Sequence, residues 1–178
     1  VDDNFIGNKG GLEKEILPAI IEWQNKRHQP FLFNTQVSID LVDKPKLINL
    51  MIKAGINALF IGIESPDSKS LEECNKSPNK NRDLVSVIKK LQNAGFIVQG
   101  GFIVGFDNDK PSIFQNQIEF IQKSGIVTAM VGLLNALPKT QLYQRLKDAG
   151  RLVDESSGNN ATAELNFTPK MDKYILIE

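Results

Sequence analysis

The sequence has almost no cysteine or histidine, since Cys74 and His28 are the only residues of these two types among 178. A single cysteine excludes an internal disulfide and any metal site that needs several cysteines of this chain, and it fits a cytoplasmic protein. Serine or cysteine hydrolases of the common type need a histidine base. His28 lies in the polar stretch Asn25–Gln29, where a solvated loop is the simpler interpretation.

Net charge, long apolar runs and phosphate-binding motifs are also missing. Lysine and arginine (21) balance aspartate and glutamate (21), which disfavours nucleic acid, an anionic membrane or another polyanion as a partner. No apolar run approaches the roughly 18–20 residues that span a bilayer, and no signal peptide is visible. Neither GxGxxG nor GxxxxGK[ST] occurs, so nucleoside triphosphate binding is not expected. Because the chain starts at Val1 without methionine and stops in the apolar segment Tyr174–Glu178, we expect a piece of a longer protein.

What the sequence does contain is a repeat of a helix, a glycine and an apolar strand. Gly55, Gly95 and Gly125 each stand where a helix needs a left-handed residue at its end. Helices are predicted over 13–26, 47–53, 83–92 and 113–122, and strands over 31–39, 58–63, 96–104 and 126–134. Repeated βα units predict an α/β fold with a parallel sheet, either a partial TIM-type barrel or a doubly wound sheet.

Two regions are predicted along the chain. Residues 1–153 form the partial barrel, and residues 154–178 form a C-terminal loop and the start of a following segment. The boundary rests on the polar, aperiodic stretch Asp154–Thr162.

Ligands of parallel βα folds bind at the carboxyl ends of the strands, which selects the candidate site residues. Glu64 ends an apolar strand, where a carboxylate needs a partner. Three alternatives stay open for this partner: ribose hydroxyls, the start of the next helix, or a lysine. Gly101 lies inside a predicted strand, which indicates either a planar ligand close to the backbone or tight packing. Asp2 and Asp3 either orient an amine or a metal, or form a solvated turn.

Five segments together carry a family resemblance. They are Asp2–Phe5, Phe60–Ser65, Gly101–Asp107, Met130–Pro138 and Asn166–Met171. In these segments the chain resembles the radical S-adenosylmethionine (SAM) superfamily, especially the bacterial branch with an N-terminal cobalamin-binding domain.

The resemblance implies a (βα)6 partial barrel whose strand ends hold SAM against a [4Fe–4S] cluster. The chain would contain this barrel from the end of its second strand through its sixth strand and the helix after it. Asp2-Asp3-Asn4 stands where the family holds the methionyl amine, and Glu64 stands at the ribose position. Gly101, Ile103 and Gly105 match the G-x-I-x-G strand beside the adenine, and Ala136-Leu137-Pro138 matches a backbone stretch that also contacts it. The full set of predicted cofactor-binding residues is Asp2, Asp3, Asn4, Thr35, Gln36, Glu64, Ser65, Gly101, Ile103, Gly105, Ala136, Leu137 and Pro138.

The family's CxxxCxxC cluster loop follows the first strand and would precede Val1. The chain is therefore expected to be a fragment that is truncated on its N-terminal side and inactive alone. Its expected partners are the cluster-loop and cobalamin-binding segments of its parent protein, and the parent's expected substrate is a small molecule. Two alternatives stay open: a metal-dependent TIM-barrel lyase or aldolase, and a noncatalytic module that binds a partner. An unpaired sheet edge also predicts self-association.

Overall fold

The computed structural model describes residues 4–7, 9–154 and 165–177. Its centre is a parallel sheet in which the strand order equals the chain order. The strands are β1 (Phe33–Gln36), β2 (Ile56–Glu64), β3 (Ile97–Val104) and β4 (Thr128–Leu133). Helices connect successive strands, as in the wall of a βα barrel. The four described strands do not close into a ring, so the architecture is that of a partial barrel.

Eight α-helices are described, and a π-helical segment and two 3-10 turns accompany them. The α-helices are α1 (Lys9–Gly11), α2 (Leu17–Asn25), α3 (Pro45–Lys53), α4 (Ser68–Glu73), α5 (Leu84–Asn93), α6 (Ser112–Ser124), α7 (Gln141–Asp148) and α8 (Lys173–Ile177). The π-helical segment is Leu12–Ile16, and the 3-10 turns are Ile39–Asp43 and Ser77–Asn79. None of the helices in this part of the chain has the length and apolar character needed to cross a membrane.

The glycine predictions are confirmed, whereas the first helix and strand differ from expectation. Gly55, Gly95 and Gly125 have φ of +87°, +109° and +72° at helix ends. The single helix predicted over 13–26 is a π-helical segment followed by α2. Pro18 has no N–H to donate, so a regular α-helical ladder is interrupted there. The strand predicted over 31–39 is shorter, because the following 3-10 turn buries Ile39 in the core.

The two sides of the sheet differ in their surroundings. On β2, Leu59, Ile61 and Ile63 are fully buried beneath the helices. The alternate residues of β2, among them Phe60 and Glu64, are only half-buried on the other side, which we call the concave face. Side chains alternate across a strand, so Gln99 and Gly101 of β3, which pair with Phe60 and Gly62, lie on the same face. The concave face corresponds to the interior of the partial barrel.

The described part of the C-terminal region packs on the carboxyl ends of the strands. Phe167 is buried in a small cluster with Phe106, Leu134 and Leu146. An isolated antiparallel bridge joins Leu152 to Phe167. The predicted boundary after residue 153 stays a prediction.

Candidate functional site at the strand ends

Glu64 has an unusual backbone at the end of β2. Its φ is +67°, and the Ser65 N–H donates to the Ile63 carbonyl at 2.9 Å, so Glu64 is the centre of a γ-turn. The pairing with β3 shifts by one residue between Gly62 and Glu64. A positive φ in a residue other than glycine costs roughly 1–3 kcal/mol and persists only where surrounding contacts impose it. Such strain is typical of ligand-binding positions.

Lys76 contacts the Glu64 side chain. Its Nζ lies 2.7 Å from Glu64 Oε1, and the two side chains are 35% and 17% exposed. Gly62 provides the room for this pair, because a Cβ there would lie 2.5 Å from Glu64 Oε1 and 3.1 Å from Lys76 Nζ. The lysine pairing considered from the sequence is therefore present. The cap of α4 is Asp67, whose side chain accepts from the N–H groups of Lys69 and Ser70.

Asn79 stabilises the irregular end of β2. Its Nδ2 donates to the carbonyls of Gly62 (3.1 Å) and Ile63 (2.9 Å), and its side chain is buried. These carbonyls flank the point where the register shifts, so the amide replaces hydrogen bonds that a regular ladder would supply. The segment from Lys76 to Asn79 thus holds the carboxylate of Glu64 and the backbone of the two residues before it.

The glycines of β3 serve different purposes. The space against Gly101 is filled by the Phe60 ring, since a Cβ on Gly101 would lie 2.8 Å from Phe60 Cζ. Tight packing, one of the two alternatives from the sequence, therefore describes Gly101. Ile103 lies two residues further along the same face and is half-buried. Gly105 follows the strand with φ +107°, a conformation that strains any residue with a Cβ.

A buried carboxylate organises the turn after β3. Asp109 Oδ2 accepts from the N–H groups of Gly105 (2.9 Å) and Phe106 (3.0 Å), and Oδ1 accepts from the Ser70 hydroxyl (2.8 Å). Burial raises the pKa of Asp109 above its ordinary value, although these hydrogen bonds oppose the shift. The turn after β3 is thereby tied to the start of α4.

Asp107, in the same turn, is the centre of an ion-pair network. Arg151 binds both of its oxygens, at 2.8 and 2.9 Å, and Arg145 binds Oδ2 at 3.0 Å. Arg145 also reaches Glu73 at the end of α4. Burial alone would raise the pKa of Asp107, but hydrogen bonding and attraction from Arg151, with Arg145 and Lys170, lower it overall.

The stretch after β4 is held by a side chain from the C-terminal region. Asn166 Oδ1 accepts from the Ala136 N–H at 3.0 Å, and its Nδ2 donates to the Ala136 carbonyl at 2.8 Å. Asn166 and Ala136 are both buried. Leu137 and Pro138 are exposed, and Thr140 caps α7. Because both backbone groups of Ala136 are satisfied internally, a ligand at this stretch would meet the exposed Leu137 and Pro138.

At the end of β1 the predicted residues separate onto two faces. Gln36 pairs in register with Phe60 and lies on the concave face, whereas Thr35 pairs with Leu59 on the helix-covered side. Asn4 lies beside them, and its Oδ1 accepts from the Ser38 N–H at 3.2 Å. Asp2 and Asp3 lie outside the described residues, so their predicted roles stay predictions.

A cavity of about 650 Å³ opens at the ends of β3 and β4. It lies between the end of α4 and the start of α7, and its lining includes Phe106, Leu134, Leu137 and Cys74. Burial raises the pKa of the Cys74 thiol, which makes a reactive thiolate less accessible at neutral pH. The volume is in the range of small-molecule sites.

The structure brings some of the predicted strand-end residues to one edge of the sheet, and their cofactor-binding roles stay predictions. Glu64, Gly105, Ala136 and Leu137 lie at the same edge of the sheet, at strand ends or in the turns that follow. Ser65 is buried, and its hydroxyl accepts from the Asp67 N–H at 3.2 Å. The residues missed from the strand-end motifs are Lys76, Asn79 and Asp109. Among the described residues, no group of three or more histidine, cysteine, aspartate or glutamate side chains could hold a metal ion. Asp2 and Asp3, which the lyase alternative combines with Glu64, lie outside these residues, so that alternative stays open.

The chain is similar in sequence to several known proteins. A family model described as a domain of unknown function, DUF4070, matches residues 140–178. An uncharacterised methyltransferase of Synechocystis is 42% identical over 170 residues, which are 95% of this chain and 32% of that protein. Hopanoid C-2 methylase of Rhodopseudomonas palustris is 31% identical over 175 residues, 98% of this chain and 32% of that protein.

Solved structures agree on the fold. One match is the radical SAM methyltransferase TsrM of Kitasatospora setae, solved with cobalamin and a [4Fe–4S] cluster bound. The matched region is 96% of this chain and 34% of the TsrM chain, with a TM-score of 0.69 and 12% identity. Coproporphyrinogen III oxidase of Escherichia coli, a radical SAM enzyme, covers 72% of this chain and 31% of its own with a TM-score of 0.52 and 15% identity. The chain is thus similar in sequence to methyltransferases, and its fold is that of radical SAM enzymes. It spans about a third of the length of the curated relatives it matches.

Proposed function

We propose that this chain supplies the ribose and carboxylate contacts of a SAM site in a radical SAM methyltransferase. The single observation that carries the proposal is the Glu64–Lys76 pair at the end of β2. SAM offers a ribose diol, a carboxylate, a sulfonium and an amine. Among the described residues no donor reaches Glu64 Oε2, so this oxygen can accept from a ribose hydroxyl. The remaining N–H groups of Lys76 can donate to a carboxylate.

The cofactor chemistry itself would come from outside this chain. One cysteine cannot supply the three ligands of a [4Fe–4S] cluster, so the residues present do not fit the cluster. We propose that an upstream segment of the parent protein carries the cluster and that a further segment binds cobalamin, with a small molecule as substrate. TsrM, with both groups bound, supports this division. A reducing cytoplasmic setting, consistent with the free thiol Cys74, is part of the proposal.

The test uses the parent protein, reconstituted anaerobically with iron and sulfide. SAM affinity is measured by calorimetry, and the products of SAM are separated by chromatography. We expect Glu64→Gln and Lys76→Met each to weaken SAM binding on the order of tenfold or more, since each removes a charge-assisted contact. The matched control variants are Glu72→Gln and Lys69→Met on the exposed side of α4.

Two results would contradict the proposal. One is equal SAM affinity in the site variants and the controls. The other is a reconstituted parent protein that forms no oxygen-sensitive cluster and yields neither 5′-deoxyadenosine nor S-adenosylhomocysteine. For the 178-residue chain alone we expect weak or no SAM binding, because the cluster contact is missing; low-micromolar affinity in a calorimetric titration would refute this.

A further inference from the structure

The end of the sheet opposite the candidate site forms a continuous surface, which we call the basal surface. It consists of the C-terminal ends of α2, α3, α5 and α6 with the connections that lead into the strands. Gln24 joins two of these connections, because its Nε2 donates to the carbonyls of Phe31 (2.6 Å) and Ala54 (3.2 Å). Gln92, near the end of α5, donates to the Gly125 carbonyl in the connection after α6 at 2.7 Å.

Charge is concentrated on the basal surface although the whole chain is neutral. The last two turns of the four helices and the connections after them contain six cations and two carboxylates. The cations are Lys26, Arg27, Lys53, Lys89, Lys90 and Lys123, and the carboxylates are Glu22 and Glu119. Since the total is zero, an excess of four positive charges here leaves the rest of the chain with an excess of four negative charges.

The two carboxylates pair within their own helices. Glu22 binds Lys26 at 2.5 Å, and Glu119 binds Lys123 at 3.4 Å. Among the described residues, no carboxylate lies within ion-pair distance of the other four cations. Lysines at helix C-termini also complement the helix dipole, which accounts for part of the charge. The dipole does not account for the apolar side chains between them.

Large apolar side chains are exposed among these cations. They are Trp23 (38% exposed), Phe31 (53%), Leu32 (74%), Ile52 (40%), Ile97 (44%) and Val127 (72%). The Trp23 and Phe31 rings stack at 5.7 Å, and the Arg27 guanidinium lies 4.4 Å from the Trp23 ring centre. Basic residues combined with exposed aromatic and aliphatic side chains are typical of surfaces that lie on anionic membranes. The most exposed members, Leu32 and Val127, are aliphatic, which suits acyl chains better than the stacked bases of RNA.

We propose that the basal surface docks on an anionic lipid bilayer. Lys53, Lys89 and Lys90 contact phosphate headgroups, while Leu32 and Val127 enter the boundary between headgroups and acyl chains. The interaction is independent of the cofactor site at the opposite end of the sheet. It can therefore be measured without cluster or SAM, and its outcome is separate from that of the proposed function.

Trp23 supplies the readout, because it is the only tryptophan in the chain. The chain is titrated with phosphatidylcholine vesicles that contain a third phosphatidylglycerol, and with pure phosphatidylcholine vesicles. We expect a blue shift of the emission that saturates with the anionic vesicles, weakens at high salt, and is absent with the neutral ones. Co-sedimentation provides the partition coefficient.

Two triple variants separate the basal lysines from net charge. Replacement of Lys53, Lys89 and Lys90 by glutamine should weaken partitioning on the order of 100-fold, at about fivefold per lysine. The control replaces Lys14, Lys110 and Lys147, which are exposed elsewhere, and should leave partitioning unchanged. Leu32→Ser should weaken it about tenfold at every salt concentration, since an apolar contact is not screened. Circular dichroism checks the fold of each variant.

Four results would overturn the proposal. The first is an equal loss of partitioning in the two triple variants, and the second is equal binding to neutral and anionic vesicles. The third is a blue shift that follows protein concentration without vesicles, with dimers in light scattering, which would assign the surface to a second copy of the chain. The fourth is tighter, lysine-dependent binding to single-stranded RNA than to vesicles.

Discussion

Gly101→Ala tests whether the glycine in β3 is required by packing. A Cβ at this position would lie 2.8 Å from Phe60 Cζ and 3.2 Å from Cε1. The shorter distance is about 0.7 Å less than an ordinary carbon contact of ~3.5 Å. Overpacking of this kind lowers the free energy of unfolding by about 1–3 kcal/mol. The reduced entropy of the unfolded chain offsets about 0.4–1 kcal/mol of this loss. We expect a net loss of about 1–2 kcal/mol, or a melting temperature lower by about 2–8 °C.

The measurement is urea unfolding followed by circular dichroism, with Gly132→Ala as the matched control. Gly132 lies in β4, and a Cβ at this position would have no atom within 4 Å, so its replacement should be neutral or slightly stabilising. In a Phe60→Ala background the penalty of Gly101→Ala should disappear, giving a coupling energy of about 1–2 kcal/mol. If Gly101→Ala costs no more than Gly132→Ala, the packing explanation is refuted and the planar-ligand alternative regains support.

Three further predictions concern the loops that surround the site. Asp107→Asn should lose about 2 kcal/mol of stability at pH 7, because Arg151 loses its ionised partner. Because the pKa of Asp107 is lowered by folding, its carboxylate stabilises the folded chain above the ordinary pKa of 3.8, and this stabilisation is lost as pH falls through the lower pKa of the folded state. Urea titrations at several pH values should show this loss in the natural chain and not in Asp107→Asn. Asp109 has the opposite sign: its pKa is raised, so the natural chain should gain stability as pH falls through that value, while Asp109→Asn should show no such gain. Asn166→Ala should cost about 2–3 kcal/mol in the same assay, since it leaves both backbone groups of Ala136 without partners, and a cost below about 0.5 kcal/mol would contradict this reading.

The order of elements could be predicted because it depends on local patterns. Glycine at a helix end, an apolar run and a polar turn are each encoded within a few residues, so the βα repeats and the turn positions of Gly55, Gly95 and Gly125 were predicted correctly. The strand ends followed from the rule that parallel strands share one functional edge. The boundaries of β1 were less predictable, since the extended pattern continues into a 3-10 turn that also buries apolar residues.

The contacts that shape the site could not be predicted in this way. Lys76 reaches Glu64 from twelve residues away, and Asn166 reaches Ala136 from thirty residues away. Nothing in the local periodicity of either segment indicates its partner. The same is true of Phe60, which fills the space that Gly101 leaves open.

The sequence by itself determined the parallel βα order, the positions of the strand ends, and the lack of enough cysteines to hold a cluster. These properties depend on composition and on patterns a few residues long. Only the tertiary structure decided that Glu64 is strained and paired with Lys76, and that six cations lie with exposed apolar side chains on the basal surface. Such properties arise from the positions of residues that are distant in sequence, and folding alone brings those residues together.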